Sequence, residues 1–186
     1  RARYRYIETF GPNPTMRSVT MNPSVFREYD IRGIAGKDLS SAFAQSLGSA
    51  YAELAKMRLG KNALKIAVGH DVRLTGEEYS GALVQGLRMA GVNVIFLGQV
   101  TTPMTYFSIH HLELDGAIMV TGSHNPPEYN GFKICIGKGT LHGAEIQELR
   151  KIMERGGSQK SAAQGSLENH DIFPEYLKFI DRKSTR

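Results

Sequence analysis

Apolar residues at Phe43, Leu47, Ala50, Tyr51 and Leu54 recur at the spacing of one helix face, which predicts an amphipathic helix over Ser40–Met57. Asp38 or Ser40 can cap it, and Gly60 stands past its end. The pattern then shortens: Leu64–Val68 is a compact apolar run that reads as a buried strand. After the loop GHDVRLTG, Gly69–Gly76, a second helix is predicted over Glu77–Ala90, capped by Thr75 and closed by Gly91. Val92–Leu97 forms the next strand. In the GQVTTP stretch after it, Thr102 as cap and Pro103 as first residue open a third helix through His111.

Leu112 and Leu114 lead into a pair of strands. DGAIMV and FKICI, at Asp115–Val120 and Phe132–Ile136, are rich in β-branched and aromatic residues, and they flank a loop holding Gly122, Pro126, Pro127, Asn130 and Gly131. A parallel crossover needs a dozen or more residues, usually a helix, and this Pro-Pro and Asn-Gly punctuation leaves no room for one. The second strand is therefore expected to run antiparallel to the first. Alternation puts Phe132, Ile134 and Ile136 on one face and Lys133 and Cys135 on the other.

A helix follows at Ala144–Arg155, burying Ile146, Leu149, Ile152 and Met153. Gly156–Ser166, rich in Gly, Ser and Gln, reads as a flexible loop, and Pro174 opens a short final helix. At the other end, residues 1–22 lack periodicity, contain Gly-Pro-Asn-Pro, and read as a flexible arm in which Met16 and Met21 are possible starts. VFREYDIRGIAG, Val25–Gly36, reads as a strand or extended arm.

The order strand, helix, strand, helix, strand predicts right-handed parallel units with helices on both faces. The fold class is thus α/β, a three-layer α/β/α sandwich whose mostly parallel sheet carries one antiparallel strand after the 121–131 loop. Ligands of such sheets bind outside the carboxyl ends of the strands. Three loops rich in Gly and polar groups meet there: Gly69–Gly76, Gly98–Pro103 and Thr121–Gly131. At that edge His70, Asp71 and Arg73 have two open readings, as supports of the 121–131 loop or as pins of their own turn.

Composition narrows the class. With 186 residues, 41% hydrophobic and 22% charged, the chain can bury a real core and is expected to form one domain with ragged ends. No apolar run reaches the ~20 residues that span a bilayer, so no membrane partner is expected. The single Cys135 excludes an internal disulfide and lies in an apolar strand, and a reducing cytoplasm fits. The net charge of +5 sits at the ends: residues 1–17 and 178–186 each carry +3, which leaves −1 for the body. Without a basic groove interleaved with aromatics, no nucleic-acid partner is expected.

The candidate chemistry centres on Ser123, between Gly122 and His124-Asn125. A nucleophile elbow needs Gly two residues either side of the Ser, where Thr121 and Asn125 stand. A phosphate-binding P-loop needs Gly-Lys followed by Ser or Thr, and Gly137-Lys138 is followed by Gly139. His124 is poorly placed to deprotonate its neighbour, because adjacent residues in an extended segment point opposite ways. Hydrolase chemistry is therefore not indicated.

TGSHNPPEYNGFK closely resembles the phosphoserine loop of the α-D-phosphohexomutases, in the form found in bacterial phosphomannomutase/phosphoglucomutase enzymes. The resemblance implies that Ser123 carries the phosphoryl group exchanged with the sugar. It also implies active-site roles for Lys133, in Asn-Gly-Phe-Lys, and for His124. Phe-Arg-x-Tyr-Asp-Ile-Arg-Gly at Phe26–Gly33 is similar to the family's amino-terminal signature, whose Tyr and second Arg lie at the phosphoserine; those roles fall on Tyr29 and Arg32. Read locally, Arg27, Glu28, Asp30 and Arg32 are solvated charges, Lys133 is a solvated strand lysine and His124 is pinned by loop hydrogen bonds. Arginine suits phosphate because its planar fork donates two permanently charged bonds.

By resemblance, residues 23–181 form the first, phosphoserine-bearing domain, followed by a tail at 182–186. The implied reaction interconverts hexose 1-phosphate and 6-phosphate through a bisphosphate intermediate, with Mg²⁺ as cofactor and glucose 1,6-bisphosphate or a similar compound as primer. In the family Mg²⁺ is held by the phosphoserine, here Ser123, and by an Asp-Gly-Asp-x-Asp-Arg segment that this sequence lacks. The implied partners are a hexose phosphate and the remaining three domains of the same polypeptide, and this chain alone is expected to be inactive. A stand-alone phosphate- or phosphosugar-binding module without catalysis is the competing reading. The sequence does not distinguish glucose, mannose and glucosamine phosphates.

Overall fold

A computed structural model describes residues 21–157 and 161–184. After a 3₁₀ turn at Pro23–Val25, the elements are β1 Ile31–Ile34, α1 Ser41–Leu59, β2 Lys65–His70, α2 Gly76–Met89, β3 Asn93–Gln99, α3 Thr102–His111 and β4 Gly116–Val120. They continue with β5 Tyr129–Ile136, β6 Gly139–Thr140, α4 Ala144–Glu154, β7 Leu167–Asn169 and α5 Phe173–Ser184. The strands make one seven-stranded sheet in the order β1-β5-β4-β2-β3-β7, with the short β6 paired to β5.

β4, β2, β3 and β7 are mutually parallel, and β5 pairs antiparallel with β4, β1 and β6. β5 is thus the single strand that runs against the others, as the loop punctuation predicts. Alternation sorts the core into two layers. Ile66, Val68, Val94, Phe96, Ile118, Val120, Phe132 and Ile134 face one cluster, shared with α1, α2 and α4. Ala67, Ile95, Leu97, Ala117, Met119 and Cys135 face the other, shared with α3 and flanked by Tyr176 of α5. With both faces covered, the central strands carry the continuous apolar runs seen in the sequence.

The local signals mostly place the ends. Ser40 Oγ accepts the Phe43 N–H at 3.1 Å, and Gly60 closes α1 in the left-handed conformation, φ 62°. The α3 cap is Thr101, one residue earlier than expected, and its side chain makes no capping bond. Thr75 occupies the α2 cap position without a side-chain bond there, because its hydroxyl is used elsewhere.

Two expectations change. Gly156–Ser166 reads as a loose loop, yet its described parts are tied down. Gly157 N–H donates to Ile152, Ser161 N–H to Met89 and Gly165 N–H to Arg88, while Arg88 Nε donates to the Gly165 carbonyl at 2.9 Å. Those anchors deliver Leu167–Asn169 as a parallel edge strand on β3, too short for its period to register in the sequence. The final helix also runs to Ser184. The expected arm at 1–22 lies outside the described residues except for Met21 and Asn22.

Candidate active site

The carboxyl ends of β2, β3 and β4 open on one rim, and the three loops singled out in the sequence meet there. Between them lies a cleft of about 980 Å³, lined among others by Asp71, Thr101, Thr121, Ser123, His124 and Phe173. Ser123 is exposed at its mouth, with φ at 52°, a left-handed backbone uncommon for a side-chain-bearing residue. Such a conformation persists only where the surroundings over-determine it.

They do so here through alternate residues of the β2–α2 loop. Asp71 accepts the Thr121 hydroxyl at 2.7 Å, and Thr121 Oγ1 in turn accepts the Ser123 N–H at 2.9 Å. Arg73 donates from Nη1 to the Pro126 and Tyr129 carbonyls at 2.7 and 2.6 Å, and from Nη2 to those of Asn125 and Ser123 at 2.6 and 3.2 Å. Thr75 Oγ1 accepts the Asn130 side-chain amide at 2.9 Å. Between these, Val72 is 79% exposed and Leu74 fully so. One residue in two thus grips the serine loop. Arg73 side-chain donors support that loop, whereas Asp71 fulfils both readings left open: it holds Thr121, and its Oδ1 also accepts the Arg73 N–H at 3.0 Å, pinning its own turn. His70 instead stays with its own turn, its Nδ1 bonding the Asp71 carbonyl at 2.8 Å.

Arg32 comes from the other side of the loop. β1 pairs with β5 so that Arg32 lies opposite Gly131, and Arg32 Nη1 donates to Asn125 Oδ1 at 2.8 Å. Lys133, two residues along β5 and so on the same face, lies 3.7 Å from the Asp30 carboxylate, which Arg32 Nη2 also contacts. Asp30 is buried and serves as a shared counter-ion for both cations. Arg32 Nε is buried with no partner among the described residues. Tyr29 is 68% exposed, and His124 is exposed in the cleft wall. Arg32, Lys133 and Tyr29 are not part of the cleft lining.

The structure therefore joins Ser123, His124 and Arg32 to one loop and links Lys133 to them through Asp30. Sequence reasoning missed Asp30, Thr75 and Thr121. The available signal was the period-two pattern of Asp71-Val-Arg-Leu-Thr75, polar at odd positions and apolar at even ones in a loop. Burial pushes the Cys135 thiol up, as expected of an inert core cysteine. Among the described residues no group of three or more His, Cys, Asp or Glu side chains could hold a metal ion, and no helix is long and apolar enough to cross a membrane.

Residues 23–160 match the profile of the phosphoglucomutase/phosphomannomutase α/β/α domain I. The chain belongs to that family. It is 44% identical over 156 residues to a phosphoglucomutase of Neisseria meningitidis serogroup B, covering 84% of this chain and 33% of that protein. Against the phosphomannomutase/phosphoglucomutase of Pseudomonas aeruginosa the identity is 40% over 166 residues, covering 89% of this chain and 35% of that protein. The crystal structure of a phosphoglucomutase/phosphomannomutase family protein from Burkholderia thailandensis superposes with a TM-score of 0.75 at 38% identity, covering 85% of this chain and 35% of that one. The family resemblance and the fold class read from the sequence are thereby established. The chain spans about a third of the length of these relatives.

Proposed function

We propose that the full-length protein carrying this chain is a phosphohexomutase that interconverts hexose 1-phosphate and hexose 6-phosphate, with Ser123 as its reversible phosphate carrier. The observation that carries the reading is the exposed Ser123, held at φ 52° on an anchored loop at the mouth of a cleft. A group transferring phosphate must be reachable by substrate yet fixed in direction, because such reactions are accelerated chiefly by positioning and charge stabilisation.

In this reading the phosphoserine Oγ–P bond breaks as a new bond forms between phosphorus and the free sugar hydroxyl, and the proton that hydroxyl gives up ends on the departing Ser123 Oγ. The bisphosphate turns end for end, and its other phosphoryl group returns to Ser123. The phosphoserine would bring about −1.5 to −2 charges and three acceptor oxygens. Arg32 and Lys133 are the cations assigned to it, and Tyr29 and His124 complete the proposed set. The unpartnered Nε of Arg32 leaves donor capacity for an incoming anion.

Mg²⁺ is the metal this chemistry calls for, where it would neutralise charge on the transferring phosphoryl group. The donors present fit one corner of such a site: oxygens of phosphorylated Ser123 are hard ligands, and the remaining ligands would come from elsewhere in the full-length polypeptide. This chain, a domain running to about residue 181, would fold without turning over substrate by itself. A cytoplasmic enzyme primed by glucose 1,6-bisphosphate is the corresponding picture.

The test is peptide mass spectrometry of the full-length protein after incubation with glucose 1,6-bisphosphate. One phosphoryl group is expected on the peptide bearing Ser123 and none in Ser123→Ala. Absence of the label from wild type, or its persistence in Ser123→Ala, would overturn the assignment.

A further inference from the structure

We propose that Arg73 is a positioning residue for phosphoryl transfer at Ser123, acting with Asp71 and Thr121 to turn the loop's carbonyl oxygens away from the phosphate. This rests on the reading of Ser123 as the phosphate carrier. Carbonyl oxygens carry the negative end of the peptide dipole, and any of them facing a phosphoserine would repel it. Arg73 gathers four such oxygens, those of Ser123, Asn125, Pro126 and Tyr129, onto one guanidinium.

The consequence for the loop's outer side follows from peptide geometry. In a trans peptide the C=O and N–H point in opposite directions. With the Ser123 carbonyl directed at Arg73, the His124 N–H points away from Arg73, and it has no partner among the described residues. It is a ready donor for a phosphate oxygen. On the other side of Ser123 the N–H is already taken by Thr121 Oγ1, whose own proton goes to Asp71. The turn's own Asn125 N–H to Gly122 carbonyl bond at 3.1 Å and the side chains of Thr121 and Arg73 thus together orient the peptides flanking Ser123 and maintain its left-handed backbone.

The fit is tight. A Cβ on Gly122 would stand 2.2 Å from Arg73 Cζ and 2.3 Å from its Nε, so the guanidinium lies directly against the Gly122 backbone. Only a planar, multiply donating group reaches four acceptors from that position. An ammonium is a compact point charge with three donors and no fork.

The experiment follows phosphoryl uptake on Ser123 from glucose 1,6-bisphosphate, together with kcat and KM for hexose 1-phosphate. It uses the full-length wild type, Arg73→Met, Arg73→Lys and Thr121→Val, with thermal unfolding measured alongside. Arg73→Met is expected to slow uptake about 100-fold, the scale of a small misplacement of a reacting group. The loss falls on kcat with KM unchanged, and Arg73→Lys regains thermal stability without regaining the rate. If Arg73→Met does not fold, Arg73→Lys decides, since an ammonium has no fork to gather the four carbonyls; slowed uptake by that folded variant supports the proposal, and Thr121→Val tests separately the hold on the Ser123 N–H. Folded variants that take up phosphate at the wild-type rate overturn the positioning role and leave the carrier reading intact. Wild type that takes up none overturns both.

Discussion

The side-chain amide of Asn130 donates to Thr75 Oγ1 at 2.9 Å, joining the end of the serine loop to the start of α2 across 55 residues of sequence. Asn130 is buried, and its Oδ1 also accepts the Gly131 N–H at 2.8 Å. Asn130→Ala removes both bonds where water cannot replace them. A loss of about 1–3 kcal/mol is expected in urea unfolding, the cost of leaving buried polar groups unsatisfied. An unchanged midpoint would show that this contact does not anchor the loop.

Helices α1 and α2 approach closely because glycines line their contact. A Cβ on Gly86 would lie 2.0 Å from the Gln45 carbonyl oxygen, and one on Gly48 would lie 2.4 Å from that of Leu83. These obstacles are backbone atoms, which cannot swing aside. Gly86→Ala is expected to destabilise by about 1–3 kcal/mol despite the better helix propensity of alanine. A rise in the thermal midpoint would contradict this packing.

Tyr51 is fully buried, donates to the Cys135 carbonyl at 2.7 Å, and has its pKa held well above the ordinary value by desolvation. Burial also raises Tyr79 and Tyr106. Below pH ~10 these phenols are protonated in both states and contribute no pH dependence. Above it the unfolded chain releases protons that the folded chain retains, so the unfolded state binds fewer and stability falls as pH rises. Thermal midpoints should drop as the pH rises from about 10 to about 11, through the titration of unfolded tyrosine. The drop should shrink in Tyr51→Phe; an identical slope in that variant would remove Tyr51 as a source.

Asp30 holds Arg32 and Lys133 as a shared counter-ion. Lys133→Met is expected to slow phosphoryl uptake by Ser123 about 10- to 100-fold, the equivalent of one charge-assisted bond of about 1.5–3 kcal/mol. The thermal midpoint should move little, because Lys133 is only half-buried. Equal uptake rates in quenched-flow labelling would release Lys133 from the proposed set.

Most of the fold was readable from local chemistry. Helix period, the Ser40 cap, the Gly60 stop and the Pro-Pro and Asn-Gly loop each act within a few residues, and together they order the elements and reverse β5. β7 was not readable, because three residues carry no period and pair only when Arg88 and Met89 anchor the preceding segment. The pairing of β1 with β5 was likewise hidden, since charges at Asp30 and Arg32 look solvated until a loop 93 residues away supplies Asn125.

By itself the sequence determined the layered sheet, the rim where its loops gather and the serine loop, because periodicity and turn chemistry are properties of neighbouring residues. Only the tertiary structure decided what holds that serine. Arg73 looks like any loop cation until folding brings four carbonyl oxygens within its reach, and such convergence depends on distances through space that no spacing along a chain encodes.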